Sequence, residues 1–260
     1  MAGIGFELKK LFNRRGLFAS FRAYGYAGVV CTGPMLLGIV LLLGVMYLCD
    51  KTGGSRHSRE LLVCMITYTL LFSLTVTSFL SMVVTMFIAD MLYEEKYDMI
   101  LPSFWGSSGI MLAAGGIMYG IFLVFSGAGL VDGLLCLWLF GELIVTWNAM
   151  SYLTAIKDYR GILLSFTASI VLTFLSGWLL LRLGIPHVEA LLLAVVIGYG
   201  VMLLWDVILL YQYFPQGEKG AFLFLRWVDQ FLPLAFTGLF INIGLFAHLV
   251  IMWIGPLQVK

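Results

Sequence analysis

The sequence predicts an all-α polytopic membrane protein with about seven transmembrane helices, and three observations predict it. Of the 260 residues, 62% are hydrophobic and 11% charged, with a mean hydropathy of +1.02, whereas soluble domains carry about 25% charge. Read in windows of about 20 residues, the length that crosses a bilayer core, the chain shows seven apolar runs. None of them alternates as a membrane strand must, which leaves helices to satisfy the backbone in lipid. The net charge of +1 points to no particular partner, and no nucleic-acid partner is expected.

The chain opens with MAGIGFELKKLFNRRG. As a helix, this stretch sets Ile4, Leu8, Leu11 and Phe12 on one face and Lys9, Lys10 and Arg14 elsewhere, the pattern of a helix lying among headgroups. The apolar run that follows is a full span with no A-x-A site to close it. Residues 1–26 are therefore expected to be retained as a basic amphipathic cytoplasmic segment. Residues 27–213 form a six-helix transmembrane bundle, with spans near Ala27–Cys49, Leu61–Ala89, Gly106–Phe125, Leu130–Tyr152, Ile162–Leu183 and Ala190–Tyr213. Residues 214–260 form a cytoplasmic linker and a seventh span near Phe231–Ile254. With the N-terminus inside, ten of the fifteen Lys and Arg residues fall on the cytoplasmic side and five outside, as the positive-inside rule asks. The expected location is the cytoplasmic (inner) membrane, crossed several times, with the C-terminus outside.

Enzyme chemistry has little to stand on. Cys31, Cys49, Cys64 and Cys136 show no CxxC spacing, and His57, His187 and His248 lie in separate segments. No metal site and no cofactor are expected, and no phosphate loop, nucleophile elbow or zinc-helix motif appears. Cys49 and Cys64 flank one outer loop, where they are candidates for a disulfide.

The polar chemistry lies inside the membrane. Span two carries Thr69, Ser73, Thr77, Ser81 and Thr85, an i,i+4 row that winds slowly around the helix. Two readings stay open: hydroxyls that bond back to their own helix or join neighbouring helices, or the wall of a water-lined path for sugar hydroxyls. Span five repeats the device with Ser165, Ser169 and Thr173. In span three Gly109 and Ala113, and Gly116 and Gly120, stand four apart, a spacing that suits close helix packing. Pro34 and Pro233 can flex or statically kink spans one and seven.

Two acids stand out. Glu142 sits near the middle of span four and Asp206 in the inner half of span six, where a charge costs about 2.5 to 3.5 kcal/mol on insertion scales. No Lys or Arg lies at comparable depth, so each acid is protonated, hydrated in a cavity, or paired outside this chain. Trp138 and Thr146 stand four residues either side of Glu142, placing an aromatic ring and a hydroxyl near its carboxyl. Glu142, Asp206, Trp138 and Thr146, with the hydroxyl row of span two, are candidates for the substrate path or for coupling to a proton or sodium ion. In the loop after span two, Asp90, Glu94, Glu95 and Asp98 against Lys96 give a local charge of −3. That loop is either simply solvated or an acidic docking face for a cytoplasmic synthase.

The start MAGIGFELKKLF, the segments RAYGYAG and CTGP, the loop DMLYEEKYDMILPSFWG, the segment LTAIKDYRGILL, and YFPQGEKGAFLFLRWVDQFLPLAFTGLF together resemble PelG, the membrane transporter family of Pel exopolysaccharide systems. The resemblance covers the whole chain, and MAGIGFEL is its most specific piece. It implies a flippase-type fold of two six-helix bundles rocking around a central cavity, with a polymer rich in amino sugars as substrate. It also implies membrane lipids, a cytoplasmic glycosyltransferase and small membrane proteins of a Pel-type synthase complex as partners. A full member is expected to hold about twelve spans, so this chain is expected to represent one bundle plus the first helix of the second. The likeness of CTGPMLLGI in span one to PLAFTGLFI in span seven is what an internal repeat leaves. Two further functions stay open: a non-transporting scaffold for a glycosyltransferase complex, and a small-solute or drug antiporter of the same superfamily.

Overall fold

The computed structural model describes residues 38–156, 158–215, 217 and 220–254. The amphipathic opening segment, Pro34, Cys31 and the first part of the first expected span lie outside the described residues, as do Lys157, Glu218 and Lys219. Every regular element among the described residues is helical. Five helices are long and apolar enough to cross a membrane, and a further helix has a shorter apolar stretch, Leu232–His248.

The first described helix, α1, covers 38–51 and buries Leu41, Val45 and Cys49 at four-residue spacing. Its Gly44 lies under the Phe174 ring, where a Cβ would have no room. Gly53 turns the chain at φ 84°, and Ser55 caps α2 by accepting from the Ser58 amide at 3.1 Å. Helix α2, Arg56–Tyr93, has 38 residues and is about 57 Å long at 1.5 Å per residue, against a hydrocarbon core of about 30 Å. A 3₁₀ turn, Tyr97–Met99, leads to α3, Ile100–Ser126, which ends at Gly127 in the left-handed region. Then come α4 at Leu130–Ile156, α5 at Tyr159–Arg182 and α6 at His187–Tyr213. Asp158 caps α5 by accepting from the Gly161 amide at 3.0 Å. A short α7, Leu225–Gln230, precedes α8, Leu232–Ile254.

Helices α2, α3, α4 and α6 extend a few residues beyond the apolar runs expected from sequence, whereas α5 ends and α8 begins one residue inside theirs. The most extensive contact joins α5 to α6, and α4 is the central helix, packed against α2, α3 and α6. Helix α8 lies along α2, where Gly238 meets the Ser78 carbonyl and Phe236 packs edge-on to Phe79 at 5.7 Å.

The bundle has two distinct ends. At one, Arg59 holds Asp50 with contacts of 2.9 and 3.1 Å, and His187 Nε2 meets the Thr52 carbonyl at 3.0 Å. At the other, residues after α6 fold back over α2 and α3. Gly106 packs against the Ala221 carbonyl and Gly217 against that of Asp98, both too closely for a side chain at either glycine. Phe214 and Phe224 are buried there.

Cys49, Cys64 and Cys136 are free, so the candidate Cys49–Cys64 bridge does not form. Cys49 is buried beside Gly54, whereas Cys64 lines a different space on α2. The four-spaced row of α3 also departs from expectation. Gly109, Gly116 and Gly120 have no neighbour within 4 Å of a would-be Cβ. The contact face is instead Phe104, Ser108, Met111, Gly115 and Tyr119, all buried.

Candidate functional site

The hydroxyl row of α2 is a seam between helices. Thr69 donates to the Met65 carbonyl and shares a 2.7 Å bond with the Tyr119 hydroxyl of α3. Ser73 donates to the Leu70 carbonyl and accepts from the Trp147 indole of α4 at 3.1 Å. Thr77 bonds back to Ser73 and Leu74, Ser81 meets Ser151 of α4 at 3.2 Å, and Thr85 bonds back to Ser81. Thr69, Ser73 and Thr77 are buried; Ser81 and Thr85 are half-buried. In this conformation the row faces α3 and α4 rather than an open lumen.

Between α3 and α4 lies a buried polar cluster that the sequence reading missed. Asn148 donates to Ser107 and Ser108, each at 2.8 Å, and Ser103 shares a 2.9 Å bond with the Tyr152 hydroxyl. An asparagine in the middle of an apolar helix was the available signal, since polar side chains join helices in lipid.

The expected neighbours of Glu142 are only partly brought together. Trp138 Nε1 donates to Glu142 Oε1 at 2.8 Å, and Trp138 keeps 66% of its surface exposed. Glu142 Oε2 has no hydrogen-bond partner among the described residues, and Gly200 of α6 lies opposite, so close that a Cβ there would be 3.0 Å from Oε1. The result is an open indole with a carboxylate at its edge. Thr146 is fully buried instead, its hydroxyl unpartnered. Asp206 lies elsewhere, wholly enclosed on α6.

The acidic loop is divided. Asp90 accepts from the Trp227 indole at 2.6 Å, and that ring packs edge-on to Phe87 at 5.0 Å. Glu94 pairs with Lys96 at 2.7 Å, while Glu95 and Asp98 are exposed. Among the described residues no group of three or more His, Cys, Asp or Glu could hold a metal. A cavity of about 350 Å³ opens between the ends of α2, α3 and α4 near Tyr68, Tyr119 and Cys136, and neither Glu142 nor Asp206 lines it.

Five helices long and apolar enough to cross a membrane, with polar side chains gathered into the seams between them, define a multi-pass helical membrane protein. A family model, PelG, described as "Putative exopolysaccharide Exporter (EPS-E)", matches residues 1–260. The chain belongs to the PelG family of exopolysaccharide exporters. Comparison with curated proteins and with solved structures returned no match.

Proposed function

We propose that the chain helps to move a Pel-like, amino-sugar-rich polymer across the cytoplasmic membrane, by alternating access or channel-like conduction, with Trp138 and Glu142 as a sugar contact. The observation that carries this reading is the exposed Trp138 ring held to the Glu142 carboxylate at 2.8 Å. An aromatic face offers apolar contact to a sugar ring, and a carboxylate beside it accepts sugar hydroxyls or attracts a cationic amino group. The row from Thr69 to Thr85 would line the path only when α2 parts from α3 and α4. The bundle at 27–213 and the linker with a seventh span at 214–260 belong to this reading, as do a cytoplasmic N-terminus and a total of seven spans. Glu142→Gln keeps the shape and removes the charge. Polymer export by cells carrying the variant should fall at least tenfold while membrane insertion persists, and normal export would sink the contact.

A second reading is a membrane scaffold for a glycosyltransferase, favoured by the exposed acids Glu95 and Asp98 beyond the end of α2. Reversing charge at Glu94 and Glu95 should abolish co-purification of the synthase. Unchanged co-purification would remove the docking role.

A further inference from the structure

Glu142 reaches the open Trp138 ring through Oε1 while its Oε2 is buried; Asp206 is buried whole. Asp206 has no exposed surface, and neither carboxylate oxygen has a hydrogen-bond partner among the described residues. It sits in the seam of the α5–α6 hairpin. On α5, buried Gly161, Ser165, Ser169, Thr173 and Gly177 recur at four-residue spacing. The facing residues of α6 run antiparallel: Leu209 meets Gly161, Gly198 meets Thr173 and Ala194 meets Gly177. That register puts Asp206 beside Ser165. A second unpartnered buried oxygen, Ser169 Oγ, lies one turn further along.

A sugar ring has no room in this seam, since even a Cβ on Gly198 would run into Thr173. An ionised carboxylate without donors or a cation is strongly disfavoured in such a place. No cation is at hand among the described residues. Helices α4 and α6 contain no Lys or Arg, and Arg160 and Arg182 stand at the ends of α5, the second stacked over Trp178 at 4.4 Å. Those of α2 are at its far end, where Arg56 pairs with Glu60 and Arg59 with Asp50. Lys157 lies outside the described residues. Toward the near end the exposed Arg160 follows Asp158 by two residues, and Asp158 is engaged through Oδ1, which caps Gly161, and Oδ2, which accepts from the Tyr213 hydroxyl at 3.1 Å. Tyr199, two turns along α6, packs on Phe166, and Tyr152 of α4 is engaged with Ser103.

We infer that Asp206 is a proton-exchange site in the α5–α6 seam, separate from the sugar contact, with Asp158 at its mouth. In the closed seam the Asp206 carboxyl carries the proton as an O–H. When the near ends of α5 and α6 part, that O–H bond breaks, the proton passes to water or to the Asp158 carboxylate, and Asp206 is left anionic and hydrated. This deepens the coupling role expected of Asp206. Its use in export rests on the exporter reading, whereas the exchange itself does not.

Infrared difference spectroscopy on the full chain in lipid nanodiscs, stepped in pH, tests it. A protonated-carboxyl carbonyl band should be lost as pH rises, be absent in Asp206→Asn, persist in Glu142→Gln and move in frequency in Ser165→Ala. Asp206→Glu should keep a shifted band, so that misfolding of the Asn variant cannot mimic the result. A titrating band that survives in the Asp206→Asn, Glu142→Gln double variant, or the lack of any titrating band, overturns the inference. Loss of the band on adding sodium chloride but not choline chloride at fixed pH overturns it in favour of a sodium site. Normal export by Glu142→Gln would sink the sugar contact and leave this band untouched.

Discussion

Glu95 is the one non-glycine residue with a positive φ, 59°, among those described. It closes α2 in the position where glycine is the usual choice, while the Lys96 amide donates back to the Met91 carbonyl at 2.9 Å. Glu95→Gly should therefore raise stability by about 1 kcal/mol, seen as a higher unfolding temperature in detergent. If the loop docks a synthase, the same variant should weaken co-purification, so that stability and binding move in opposite directions. Trp227→Phe removes the indole donor from Asp90 but keeps a ring over Phe87. The expected loss is about 1 kcal/mol, read as a lower unfolding temperature. At this scale the i,i+4 spacing of Trp138 and Glu142 was legible, and it gives a real bond. The step to Thr146 was not. Eight residues turn a helix by about 80° beyond two full turns, enough to carry Thr146 from the open face of α4 into the core.

The elements show a similar division. Hydropathy located the five long apolar helices found among the described residues, because lipid offers the backbone no other partner. It was blind to which face each helix turns inward. In α3 the glycines at 109, 116 and 120 were the evident packing row, yet the neighbours select the face bearing Ser107, Ser108 and Tyr119, whose hydroxyls find partners on α2 and α4. The α2 row was legible as polar and illegible as to its partners. Cysteines at Ser73 and Thr77 should resist small polar thiol reagents in the resting protein, whereas one at Tyr93, exposed beyond the core, should react. Rapid labelling at 73 and 77 would mean that the seam opens to water. The sequence reading took this stretch only as a linker, because FPQGEKGAFLFLRWVDQ mixes turn formers with aromatics and reads as a loop. Its described residues Phe214, Gly217, Ala221 and Phe224 are packed in place, and Gly106→Ala should dislodge them by driving a methyl against the Ala221 carbonyl. An overpacked site of this kind costs about 1 to 3 kcal/mol, measurable as increased protease cleavage between residues 215 and 230.

For the whole molecule, the contacts at the two ends of the bundle place the α3–α4 loop at one end and the residues after α6 at the other. Reporters inserted at Ala128, between α3 and α4, and at Gly217, between α6 and α8, should land on opposite faces of the membrane. Both on one face would break the topology on which the exporter reading depends. The length of α2 then has a mechanical meaning. A rod of about 57 Å crossing a core of about 30 Å leaves about 27 Å to share between its ends. A tilt of 10° about the membrane centre sweeps each tip sideways by roughly 5 Å, the rise of one helical turn. Because α8 lies along this rod and Trp227 is fastened near its tip, α2 would act as a lever arm, and a rotation small enough to keep the hydrocarbon seal at its middle would be magnified at the Asp90 end.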